Sequence, residues 1–136
     1  MPNILCRLTI HGCPRTKKNS RTATSNGITL PSKAYRKYAA TAWQQIHEGA
    51  RNLPISGRCN VKALYYMDTH GIVDISGLHQ GLHDLLKDRG IIADDNSRIV
   101  AGTDGSRVLY DKERPRVEVV IEEMDDSRAA AEGGQR

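Results

Sequence analysis

The sequence predicts an α+β fold: one domain in which helices pack against a mixed β-sheet. Three observations carry this. Apolar periodicity runs in the order strand, helix, strand, helix, paired short strands, strand. Both helical stretches have an apolar stripe on one side only, so each needs a sheet to cover it. The chain's 136 residues suffice for one ordinary core and not for two.

Ile4, Cys6, Leu8 and Ile10 alternate with polar neighbours, the pattern of a half-buried strand. Gly12 to Gly27 then read as a loop rich in Pro, Gly, Asn, Ser and Thr, carrying Arg15, Lys17, Lys18 and Arg21. Two readings stay open for this loop: a solvated surface segment, or a cationic arm that grips a phosphate backbone without reading sequence. Pro31-Ser32 opens a helix expected to reach about Arg51, with Tyr35, Tyr38, Ala39, Ala42, Trp43 and Ile46 on its inner face. Lys33, Arg36 and Lys37 lie on the outer face of its first turns. Cations there oppose the helix macrodipole, which favours a ligand-facing role over a purely structural one. Val61, Ala63 and Tyr65 alternate with Lys62, Leu64 and Tyr66 in a second strand ending at Asp68, apolar enough to be central in a sheet. Ile99–Val100 and Val108–Tyr110 are expected to form a hairpin about the Asp104-Gly105 turn, and Val117, Val119 and Ile121 a last strand. Residues 1–124 make the domain; residues 125–136 are a polar, low-complexity tail, expected to be disordered.

The stretch from Asp74 to Asp95 organises the chain. Ile75, Leu78, Leu82, Leu85 and Leu86 make one apolar stripe, Asp74 stands at the N-cap, and Gly90 at the left-handed position that ends a helix. Such a helix carries the chain roughly 21 Å from Asp74. The five residues to Asp95 can return about 16 Å if extended. Asp95 therefore reaches Asp74 only if the chain folds back along the helix, a path that buried Ile91 and Ile92 would suit; otherwise the second acid comes from another subunit.

Composition narrows the function classes. Residues 1–62 hold eleven Lys or Arg against one acid (+10), and residues 63–136 hold nine against fifteen (−6). A cationic half for phosphates joined to an acidic half for metal is what a metal-dependent nuclease needs. There is no apolar run of membrane-spanning length and no leader pattern, so a soluble, cytoplasmic protein is expected. The three cysteines lack CxxC spacing and read as reduced structural thiols. P-loop, GxSxG and Rossmann patterns are absent, so no nucleotide cofactor is expected. Hard cations such as Mg²⁺ take carboxylate oxygens, for which Asp74, Asp94 and Asp95 are the candidates, with Asp68 and Asp84 in reserve. Asp84 also reads as a solvated residue or a partner for Lys87. His79 and His83 have the four-residue spacing of a Zn²⁺ or Ni²⁺ pair, though polar helix surface or a subunit contact is the default.

Several segments together resemble the RusA family of Holliday-junction resolvases: PRTKKNS (Pro14–Ser20), LPSKAYRKY (Leu30–Tyr38), DISGL (Asp74–Leu78), LHDLLKDRGIIADDNSRIV (Leu82–Val100), DGSRV (Asp104–Val108) and PRVEVVI (Pro115–Ile121). They fall in family order over nearly the whole chain to about Met124. The resemblance implies a homodimeric, Mg²⁺-dependent endonuclease of phage type, with Mn²⁺ as substitute, that acts on four-way DNA in recombination and repair. It implies metal ligation by Asp74 and Asp95 with Asp94 as helper and Asp68 as a further source of charge. DNA contacts would come from Arg15, Lys17, Lys18, Asn19, Arg21, Lys33, Arg36 and Lys37. Ser76 stands where the family's motif has its second acid, Gly77 where it has Asn, and Gln80 where some members have a catalytic Lys. Thr69 to Val73 replace the arginine-rich loop that often precedes the motif. A D-x-[ST] form accompanies KKNS and DDNSRIV in one branch, so Ser76 would act through a water. Two readings follow: an active junction resolvase, or a catalytically impaired relative that binds branched DNA.

Overall fold

The computed structural model describes residues 3–16, 21–23, 29–31, 33–46 and 53–124. Strand β1 (Ile4–His11) is followed by a two-stranded ribbon of β2 (Arg21–Ala23) and β3 (Thr29–Pro31). Helix α1 (Lys33–Gln45), strand β4 (Cys59–Met67), helix α2 (Ile75–Asp88) and strands β5 (Val100–Gly102), β6 (Arg107–Tyr110) and β7 (Arg116–Glu123) complete the order. The main sheet runs β1-β7-β4, with β5 and β6 both on the far edge of β4. β7 is antiparallel to β1 and β4, whereas β5 and β6 are parallel to β4, so the sheet is mixed and the domain α+β as expected. No helix among the described residues is long and apolar enough to cross a membrane.

Period-two alternation sets the register. Ile10 faces Val117 and Ala63 faces Val119, while Ile121 lies between Cys6 and Val61, so the inward residues of three strands form one apolar surface. Leu78, Leu82, Leu85 and Leu86 of α2 and Ala42 and Ile46 near the end of α1 close over it. Trp43, expected in this core, is 40% exposed instead. It lines a groove between the helices; α1 ends at Gln45, and residues 47–51 of the expected longer helix lie outside the described residues, as does the tail.

The expected hairpin of β5 and β6 is not formed. The two strands do not pair with each other but lie end to end along β4, as one interrupted edge. The physical reason is side-chain capture of the intervening turn. Asn60, buried in β4, accepts from the Asp104 amide (2.8 Å) and donates to the Asp104 carbonyl (3.1 Å). Ser106 Oγ accepts from the Ala63 amide (3.0 Å), filling the gap in the ladder between β5 and β6. Gly105, at φ +84°, packs on the Lys62 stem, so the Asp-Gly turn juts out and the chain resumes its direction.

Connection β4–α2–β5 positions the candidate acids. β5 pairs at the start of β4, with Val100 opposite Cys59, so α2 must carry the chain from the end of β4 back to its beginning. Asp74 caps α2, its Oδ1 accepting from the Ser76 amide at 3.0 Å. The other end closes as a Schellman motif: the Gly90 amide donates to the Lys87 carbonyl and the Ile91 amide to that of Leu86, with Gly90 at φ +74°.

Candidate functional site

Two acidic positions flank α2, and one chain keeps them apart. Lys87 lies thirteen residues beyond Asp74, roughly 20 Å along the helix axis. Asp94 pairs with Lys87 (3.6 Å), not with the far end of the helix. The expectation that Ile91 and Ile92 return along α2 is not met. Both are buried, but Ile92 bridges Ile55, and Ile91 to Ala93 exchange backbone hydrogen bonds with Ile55. That short pairing takes the Ala93 amide, while the Ile91 and Ile92 amides donate to the Leu86 carbonyl, and together these bonds hold the strap at the C-terminal end of the helix. Among the described residues no three His, Cys, Asp or Glu side chains gather to hold a metal ion.

At the C-terminal end, Asp94 Oδ1 accepts from the Asp95 amide at 2.8 Å. That hydrogen bond, together with Lys87, holds the Asp94 carboxyl below its ordinary value. Asp95 moves the other way, raised by partial desolvation and by its neighbour Asp94. The pair is a locally ordered acidic turn, exposed or half-exposed to solvent. Lys87, at 3.6 Å, anchors Asp94 in this turn.

At the N-terminal end, Asp74 and Ser76 are exposed. The described part of the cationic loop lies directly on this end of α2. A Cβ at Gly77 would meet Thr16 at 3.1 Å, and one at Gly81 would meet the Arg15 carbonyl at 3.4 Å and Tyr35 at 3.3 Å. A helical Gly costs roughly 1 kcal/mol against Ala, so two of them four residues apart mark a close approach of another backbone. Arg15 is exposed, and the chain passes Gly81 and then Gly77 on its way toward Asp74. Asp68 sits beside Cys13 at the same end of the molecule; burial pushes that thiol up, and Asp68 acts on it in both directions. Lys17, Lys18, Asn19 and the Arg21 side chain lie outside the described residues. Lys33, Arg36 and Lys37 are exposed and make no ion pair among the described residues.

Sequence reasoning missed three features. Ile72 is fully exposed in the loop before Asp74, and His70 stacks on half-exposed Tyr110 with ring centroids 3.7 Å apart. Their signal was the apolar and aromatic content of a loop, which cannot be told from buried residues before the fold is known. The third is His79 and His83, expected as polar surface or a subunit contact. They are partly buried and packed against the sheet, with rings parallel to within 6° and centroids 5.5 Å apart. Tyr65 Oη is 2.7 Å from His79 Nδ1, and the buried His83 Nε2 has no hydrogen-bond partner among the described residues. Burial, then His79, pushes the His83 pKa down to about 4, with Asp84 opposing.

In comparison with known proteins, the chain matches no family model and no curated protein.

Proposed function

We propose that this chain is a cytoplasmic, homodimeric endonuclease that resolves four-way DNA junctions with Mg²⁺, each metal site being shared between two copies. The observation that carries the reading is the start of the cationic loop, where Arg15 and then Thr16 lie on α2 at Gly81 and Gly77 in the direction of Asp74, with the Arg15 side chain and the Asp74 carboxylate both exposed. The exposed Ile72 and the His70–Tyr110 stack beside it supply the apolar and aromatic surface that meets unstacked bases.

The residues of one chain do not fit a Mg²⁺ ion, because Asp74 and the Asp94–Asp95 pair stand at opposite ends of α2. In the shared site, Asp74 with Ser76, and Asp68 beside them, come from one copy; Asp95 with Asp94 comes from the other. A metal held there would supply polarisation of the scissile phosphate and a bound water of lowered pKa. The chain's own contribution is to fix Asp74 as a helix cap, to hold Asp94 and Asp95 in a turn anchored on Lys87, and to bring Arg15 to the phosphates.

A second reading, binding of branched DNA without cleavage, is favoured by positions 76 and 77. Gly77 makes room for Thr16, a packing role, and Ser76 gives the helix cap only its backbone amide.

A synthetic four-way junction incubated with the protein and Mg²⁺ or Mn²⁺ separates the readings. Symmetric nicks that disappear in Asp74→Asn and in Asp95→Asn support the endonuclease. Salt-sensitive junction binding without nicks under either metal supports the second reading, and weak binding even at low salt overturns both.

A further inference from the structure

Helices α1 and α2 leave between them a cavity of about 490 Å³, walled by Ala39, Ala40 and Trp43 on one side and by Asp84, Leu85 and Asp88 on the other. Trp43 is fixed in this wall. The Arg89 guanidinium lies 4.7 Å over its ring and donates to the Ile46 carbonyl at 2.8 and 3.1 Å. An indole held rigid and 40% exposed presents a large apolar face at little further entropic cost on binding. Asp84 and Asp88, one turn apart, give the groove an acidic rim. Tyr35, at its edge, has its hydroxyl pushed up to about 12 by burial first and then by these two charges.

The complement to this groove is carried by the same helix. Arg36, Ala40, Trp43 and Gln44 fall on one stripe of α1, and Lys37 borders it. Arg36 and Lys37 are exposed and unpaired among the described residues. If a second α1 lies antiparallel to the first with a two-fold axis at Ala40, Arg36 falls opposite Gln44 and Lys37 opposite Trp43, each twice. The small side chains of Ala39 and Ala40 let the two helices approach closely at the crossing.

We infer that this groove is an interface between two copies of the chain, in which Arg36 and Lys37 of each copy meet Trp43, Asp84 and Asp88 of the other. The arrangement is self-complementary, as an isologous contact must be. Any cationic peptide would suit the acids, but the chain's own cations lie on the right face of the right helix at a reciprocal spacing. The inference rests on the proposed function only for the existence of a second copy. It assigns Arg36 and Lys37 to assembly and leaves the loop from Arg15 onward to DNA.

The test is sedimentation equilibrium of the full chain at moderate salt, with circular dichroism as the check on folding. The double variants R36E/K37E and D84K/D88K should each weaken self-association at least tenfold, and an equimolar mixture of the two should recover a dimer. Trp43 emission should shift to shorter wavelength as the wild-type chain associates. Dimers as tight as wild type in both variants overturn the inference, as does R36E/K37E losing junction binding with its dimer intact. Failure to cleave junctions by a protein that dimerises in this way overturns the proposed chemistry and leaves the interface standing.

Discussion

The buried imidazole of His83 should make the fold acid-sensitive well above the range in which carboxylates titrate. Its Nε2 has no hydrogen-bond partner among the described residues, and its ring lies parallel to that of His79. Burial, followed by the His79 charge, takes its pKa from 6.5 to about 4. A base whose folded pKa lies below its unfolded value favours the neutral form in the fold. The stability this contributes is complete above pH 6.5 and is lost as pH falls toward 4, because the unfolded chain binds the proton first. The fall from 6.5 to about 4 gives roughly 3.5 kcal/mol over that window. His79, also pushed down by burial, adds to the loss with the same sign. His83→Leu removes the titrating group and the orphaned nitrogen together. Urea denaturation at fixed protein concentration, followed by the fluorescence of the single Trp, should show wild type weakening from pH 7 to 4.5. The variant should keep most of its stability and match or exceed wild type at pH 7. Parallel decline of the two proteins over pH 6.5 to 4 would refute the assignment.

Two further substitutions probe the elements that set the site. Asn60→Ala removes both hydrogen bonds to the Asp104 backbone and should cost about 2 kcal/mol, with the Asp104 and Ser106 amides losing protection in hydrogen exchange; unchanged protection would show that Asn60 does not hold the turn. Asp74→Ala removes the α2 cap and should cost about 1 kcal/mol, whereas Asp74→Asn keeps a capping oxygen and should cost only a few tenths. Junction cleavage should be lost equally in both, and cleavage retained in the Asn variant would remove Asp74 from the metal site.

Much of the fold was legible because it follows from short-range rules. Asp74 and Gly90 marked the ends of α2 by cap chemistry, and stretches of period-two alternation marked the strands of the central sheet. Failures came where a distant side chain decided the outcome. Nothing local in Asp104-Gly105 tells of Asn60, 44 residues earlier, which turns an apparent hairpin into an interrupted edge strand. Trp43 fits the helical stripe, but whether a stripe residue is covered depends on the neighbouring helix. The site was half legible. The acids at each end of α2 could be picked out, and helix length alone posed the question of whether one chain could join them. The answer depended on Ile92 pairing with Ile55, a contact no periodicity encodes.

The central claim, that a working site takes Asp74 from one copy and Asp95 from another, is tested most directly by mixing two inactive variants. Asp74→Asn and Asp95→Asn proteins, each alone, should leave a four-way junction uncut. After subunit exchange at equal amounts, half of the dimers are mixed, and each mixed dimer carries one site with both aspartates intact. About a quarter of wild-type sites should therefore return, seen as single nicks instead of paired ones. A mixture as inactive as its components, from proteins that are active as wild type and shown to exchange, would contradict the claim and put both acids in one chain.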